Sequence, residues 1–193
     1  MSALPKLAPS SMTLADFMDW PGDGSGLRHE LVDGEIRAMA PASITHGIIQ
    51  ANLARLLGNH LRGSGCMVVV APGVIPRVRA SFNMRVPDLA VTCAPNQPAQ
   101  GALPDPILVI EILWPSNESE TRENVWAYAT IPTLREILLI RSTEIAAELL
   151  RRAPDGTWPG SPETLVAPDA LVLDSVDFRC PLAEFYAETH LAG

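Results

Sequence analysis

Arg85-Val-Pro-Asp88-Leu-Ala-Val91 and Ile107-Leu-Val-Ile-Glu111-Ile-Leu113 decide how this chain is read. Each is a short aliphatic run of the kind that forms a strand buried on both faces. Each also carries one carboxylate. Asp88 follows a proline at the mouth of the first strand, and Glu111 sits among six aliphatic residues in the second. An ionised carboxylate left alone in such surroundings is costly, so each should be paired, protonated or bound to a metal. Two carboxylates on neighbouring strands suggest a divalent-cation site, since Mg²⁺ takes one or two carboxylates with waters and substrate phosphates. The spacing fits equally well a Glu111 salt-bridged to an arginine and an Asp88 that caps a strand end.

Outward from this pair, strands and helices alternate. Thr13 to Trp20 reads as a short helix capped by Thr13, broken by Pro21-Gly-Asp-Gly-Ser-Gly26. Arg28 to Met39 reads as two strands joined by Asp33-Gly34, a strong hairpin signal. Thr45 to Arg62 has the clearest helical stripe, with Ile48, Ile49, Leu53, Leu56, Leu57 and Leu61 on one side and Gly63 as the stop. Cys66 to Val70 and Val74 to Val78 are expected strands around Pro72-Gly73, and Cys93 to Pro106 an exposed loop. After the Glu111 strand, Asn117 and Glu120 have the spacing of a capping box for a helix to about Ala129. Strands follow at Arg135 to Arg141, Ile145 to Arg152 and near Leu171-Val-Leu173, and Leu182 to Leu191 is expected to close the chain as a helix. The order implies an α/β fold around one mixed sheet, with residues 1–10 as a flexible tail and 11–193 as a single domain.

Composition narrows the function. With 193 residues, 47% hydrophobic, there is material for one real core. No apolar stretch is long enough to span a bilayer and no leader pattern opens the chain, so a cytoplasmic protein without membrane partners is expected. Cys66, Cys93 and Cys180 show no CxxC spacing and read as buried thiols, neither zinc ligands nor disulfides. The net charge of −8 argues against tight non-specific gripping of a nucleic-acid backbone, though clustered arginines or a bridging metal allow local binding. No GxxxxGK[ST] or GxGxxG loop is present, and Ser116 lacks a histidine–acid pair at nucleophile spacing. The high apolar content is compatible with a homodimer.

Several short motifs succeed one another in a telling order. They are His29-Glu-Leu-Val-Asp-Gly-Glu35, Met39-Ala-Pro41, His46 opening the long helix, Val86-Pro-Asp88, Val109-Ile-Glu-Ile-Leu113, Pro115-Ser116, Ala127-Tyr-Ala129, Ile131-Pro132 and Cys180-Pro-Leu-Ala-Glu-Phe-Tyr186. This order resembles the Uma family of restriction-endonuclease-like proteins, a branch of the PD-(D/E)XK nuclease superfamily. The resemblance implies a restriction-endonuclease-like mixed β-sheet flanked by helices, with an N-terminal β-hairpin. It further implies Mg²⁺ (or Mn²⁺) held by Asp88, Glu111 and the backbone carbonyl of Ile112, and hydrolysis of DNA phosphodiester bonds by a metal-activated water. Glu30 could add a carboxylate, or serve as the cross-strand partner of an arginine.

One expected part is missing. The superfamily places a lysine near the acids, and in the Uma branch the lysine has moved to the following helix, four residues before the tyrosine. That position is Asn124 here, and Lys6 in the N-terminal tail is the chain's single lysine. Arg122 is two positions from Asn124, roughly 200° around a helix, so it substitutes only in a shifted register. Asn124 could instead orient water as a neutral donor. The alternative to a Mg²⁺-dependent endonuclease is a non-catalytic binding or interaction module on the same fold.

Overall fold

The computed structural model describes residues 11–95, 101–115 and 118–192. Its centre is a six-stranded sheet: β3 (Met67–Val70), β4 (Leu89–Thr92), β5 (Pro106–Leu113), β6 (Glu136–Arg141), β7 (Ala146–Arg151) and β8 (Glu163–Val166), adjacent in that order. Before it come α1 (Leu14–Met18), the hairpin β1 (His29–Val32) and β2 (Glu35–Ala38), and α2 (Ile44–His60). Asp33 and Gly34 both take positive φ at the hairpin turn, as the Asp-Gly signal implies. Within the sheet β5 and β6 are parallel and every other pair is antiparallel. The parallel pair needs a crossover, which α3 (Glu118–Tyr128) provides.

Alternation along β5 sorts its side chains between two cores. Leu108, Ile110 and Ile112 join Leu89, Val91 and the α2 residues Ile49, Leu53 and Leu57 on one face. Val109 and Leu113 join Ala90 and the α3 residues Val125 and Tyr128 on the other. Glu111 has the parity of Val109 and Leu113, so the sheet turns it toward α3. β9 (Ala170–Leu173) and β10 (Phe178–Pro181) form a second hairpin whose Leu171, Leu173 and Phe178 close the α2 face.

Three expectations need correction. Val74 to Val78 is no strand: Val74 makes a lone antiparallel bridge with Arg85, since Pro72 and Pro76 interrupt the donor ladder. Leu182 to Leu191 is not a full helix. A 3₁₀ turn over Leu182–Tyr186 ends where Asn52 Nδ2 donates to the Phe185 and Ala187 carbonyls, which a continuing helix would have bonded itself. Cys66 and Cys93 are disulfide-bonded, not free. The register Met67↔Thr92 places them opposite one another at the next position of β3 and β4, while Cys180 remains a buried thiol as expected. The tail of residues 1–10 and the Asn117 capping box lie outside the described residues.

Candidate metal centre

The two acids meet because their strands are neighbours in register. Leu89 pairs with Ile110 and Ala90 with Val109, so the next antiparallel position sets Asp88 beside Glu111. The Asp88 N–H lies 3.4 Å from Glu111 Oε2, and the Ile112 N–H donates to Asp88 Oδ2 at 2.7 Å. From α2, His46 Nε2 bonds Asp88 Oδ1 at 2.8 Å, and Gln50 Nε2 donates to the Asp88 carbonyl at 2.9 Å. Asp88 thus has each carboxylate oxygen held by a different element. From α3, the Tyr128 hydroxyl donates to Glu111 Oε1 at 2.7 Å. Tyr128 is fully buried, so this bond is made away from competing water.

Electrostatics mark the pair as strained for anions. Burial, then the Asp88 charge, push the Glu111 carboxyl well above its ordinary range, and the Tyr128 bond only partly opposes them. Tyr128 is raised in turn by burial and by Glu111. Glu30 is also raised by burial, with Arg85 as the largest opposing influence. Glu30 lies on β1, where the Leu31↔Met84 bridge sets it opposite Arg85, with Glu30 Oε1 4.0 Å from Arg85 Nη1. Glu30 is thus the cross-strand neighbour of Arg85, and among the described residues it is not grouped with Asp88 and Glu111 as a three-acid cluster.

The remaining site residues divide. Asn124 is buried on the α3 face that carries Tyr128, as the four-residue spacing requires. Arg122 turns elsewhere. Both its terminal nitrogens bond Glu148 on β7 at 3.0 Å, and Nη2 also reaches Glu118 at 2.8 Å. A shifted helix register that would bring Arg122 to the acids is therefore not adopted. The roles of His46, Gln50, Tyr128 and Arg85 were not derivable from residue type. His46 and Tyr128 were visible only as pieces of the motif order, and Gln50 lay in none of them; it is the packing of α2 and α3 against the sheet that brings His46, Gln50 and Tyr128 to the acids.

Fit to a divalent ion can be judged from the donors. Among the described residues no group of three or more His, Cys, Asp and Glu side chains is arranged as a metal cage. The Asp88–Glu111 pair nonetheless suits a hard cation that keeps several waters: the two acids are register neighbours, both are buried or nearly so, and the Asp88 charge disfavours the ionised form of Glu111. Two open clefts of about 440 and 480 Å³ near Pro132 and Thr133 include neither acid in their linings.

A family model described as "Putative restriction endonuclease", Uma2, matches residues 14–183. The chain belongs to the Uma2 family. It is 33% identical over 156 residues to an uncharacterized Synechocystis protein, covering 80% of this chain and 78% of the relative. A crystal structure titled as a "putative nuclease" from Anabaena variabilis superimposes with a TM-score of 0.74 at 18% identity, covering 91% of this chain and 98% of the other. The Uma2 member described here therefore has the nuclease-like mixed fold expected from its motifs. Among its described residues, no helix is long and apolar enough to cross a membrane.

Proposed function

We propose that this Uma2 chain is a divalent-metal-dependent endonuclease acting on DNA, with Mg²⁺ as the expected ion and Mn²⁺ as a substitute. The observation that carries the reading is the in-register meeting of Asp88, just before β4, with Glu111 on β5, within a family of nuclease-like proteins. Asp88 and Glu111 would hold the ion, with the Ile112 carbonyl as a third oxygen. When bound, such an ion lowers the pKa of a water and polarises a phosphate oxygen. The protein's part is orientation: His46 and the Ile112 N–H fix the two oxygens of Asp88, and Tyr128 fixes Glu111. Asn124 stands where the family carries a lysine and would offer a neutral amide to a water, which favours slow turnover. Glu111→Ala tests the reading. Calorimetric Mn²⁺ binding and cleavage of duplex DNA should both be lost, cleavage by at least about 100-fold, in a variant whose circular dichroism matches wild type. Metal-dependent cleavage that persists in this variant refutes the assignment.

A second reading is a non-catalytic binding module. It is favoured by the acidic rim of α3, where Glu118 and Glu120 already engage Arg122, Arg141 and Arg37. Wild-type protein that is folded yet takes up neither Mg²⁺ nor Mn²⁺ would leave this reading ahead.

A further inference from the structure

Asp105, Pro132 and Thr133 line both of the open clefts, which therefore form one continuous groove. Its walls carry Arg77 at one end and Arg135 with Arg152 at the other, against a single acid, Asp105. Over the whole chain Asp and Glu outnumber Lys and Arg by 22 to 14, so the groove reverses the molecule's sign of charge locally.

Arg135 and Arg152 are neighbours by register. Glu136 pairs with Arg151, so the next antiparallel position sets Arg135 opposite Arg152, and the Arg152 N–H donates to the Arg135 carbonyl at 2.8 Å. Like charges directly opposite one another are unfavourable unless something offsets them. Among the described residues no carboxylate does so. Arg152 is held by neutral groups instead: Nη1 donates to the Pro132 carbonyl at 2.8 Å, Nε donates to the Gly156 carbonyl at 2.9 Å, and the guanidinium lies over the Trp158 ring at 5.6 Å. These groups fix the cation without cancelling its charge. Arg77 and Arg135 are exposed, and no acceptor meets either side chain among the described residues. Arg122 and Arg151, by contrast, each meet a carboxylate, that of Glu148 and of Glu136.

The groove has a defined place relative to the acids. Thr130 Oγ1 accepts from the Arg77 and Val78 N–H groups, which pins the segment carrying Arg77 to the end of α3, two residues past Tyr128. Ile131 and Leu134, both in the groove's linings, belong to the core on the α3 face, toward which Glu111 is turned. Ile107 lines the Arg135 end and lies four residues before Glu111 on β5. That is roughly 13 Å along a strand, or about four base steps along a duplex. A phosphate seated in the groove is thus a different one from a phosphate at the acids.

We propose that this groove is a second contact for DNA, in which Arg77, Arg135 and Arg152 meet backbone phosphates several base pairs from the Asp88–Glu111 centre. The occupant follows from charge complementarity: an acidic chain that gathers uncancelled arginines along one open groove is suited to a polyanion, and the arginine fork to its phosphates. The inference rests on the DNA-acting reading above and adds a surface in which neither acid takes part. Three such contacts are too few to hold a duplex unaided at physiological salt, so the groove orients DNA that the metal centre also holds.

The test is fluorescence anisotropy of a labelled duplex of about 20 base pairs with Mg²⁺, from about 0.05 to 0.2 M salt. Arg77→Gln and Arg135→Gln are exposed changes that leave the fold's own bonds in place. Each should weaken binding about fivefold and reduce the magnitude of the salt slope by about 0.9. Arg179→Gln, at an exposed position of β10 outside the groove, removes the same charge and should leave duplex affinity near wild type. Mn²⁺ affinity by calorimetry should stay within about twofold of wild type in all three. An unchanged affinity and slope in the Arg77→Gln, Arg135→Gln double variant, or an equal loss in Arg179→Gln, overturns the inference and leaves the metal centre standing. So does a groove that prefers a poly-glutamate peptide to the duplex, which would make it a docking site for an acidic protein. A wild type that takes up Mn²⁺ yet binds no duplex removes the DNA reading, and this inference falls with it.

Discussion

Glu111 is pulled in two directions. Burial and the Asp88 charge disfavour its ionised form, while the Tyr128 hydroxyl favours it. The folded chain therefore holds the Glu111 proton more tightly than the unfolded chain, whose carboxyl titrates near the ordinary 4.5. Between that value and the raised one the native state binds more protons, so stability falls as pH rises through the window. Glu111→Gln removes the ionisation and keeps an acceptor for Tyr128. In EDTA, the melting temperature of this variant should exceed that of wild type by a margin that grows from pH 4 to pH 9. For a domain of this size each kcal/mol recovered corresponds to about 2–4 °C. An offset that stays constant with pH would show that ionised Glu111 carries no such cost. Both acids were legible in the chain because a carboxylate within an aliphatic run is itself anomalous. Arg85 was not, because an arginine at the start of a strand is ordinary until its neighbours are known. His46 and Tyr128 were legible as motif pieces, but their bonds to Asp88 and Glu111 depend on how α2 and α3 cross the sheet.

At the scale of elements, α3 is tied down at both sides. Tyr128 joins it to β5, and Arg122 joins it to β7 through Glu148, with Arg141 sharing the same carboxylate at 2.8 Å. The Arg122 side chain is nearly half exposed, so solvent screens the pair and its loss should cost roughly 1 kcal/mol. Arg122→Met should therefore lower the melting temperature by a few degrees and leave Mn²⁺ affinity within about twofold of wild type. A large loss of Mn²⁺ binding in a folded variant would instead place Arg122 in the metal centre. Two strands escaped sequence reading for different reasons. In β8, Glu163, Thr164 and Val166 are exposed and Leu165 alone is buried, which leaves almost no apolar alternation to see. β10 does alternate, with Phe178 and Cys180 buried and Arg179 and Pro181 exposed, but four residues ending in a proline are too short a run to stand out. The opposite error occurred at Leu182 to Leu191, where Leu182, Phe185 and Tyr186 have helical spacing. There the Tyr186 hydroxyl, bonded to the Arg141 and Ala146 carbonyls, fixes the turn, and Asn52 takes the carbonyls beyond it. Side chains from distant parts of the sequence overrode the local pattern.

For the molecule as a whole, the net charge of −8 limits how a polyanion can approach. Without divalent ions the acids repel a phosphate, and the α3 rim adds to that repulsion. Fluorescence anisotropy of a labelled duplex at about 0.15 M salt should show little binding in EDTA and clear binding with Mg²⁺. Tight binding that ignores EDTA would locate the contact surface away from Asp88 and Glu111. The mixed sheet and its flanking helices could be inferred from element order because β5, β6 and α2 carry aliphatic runs or stripes long enough to read on their own. The cysteine pairing could not, since it depends on the β3–β4 register, which no local pattern reveals.

That pairing has a topological result. The Cys66–Cys93 bond, spanning 27 positions, closes the chain into a covalent ring that contains β3, Arg85, Asp88 and β4. Glu30 and Glu111 lie on the linear arms to either side. A backbone nick inside the ring leaves Asp88 tethered to both arms until the sulfurs are reduced. A nick between Cys93 and Glu111 severs one acid from the other at once. One half of the acid pair is thus carried on a loop that survives a cut, and the other half is not.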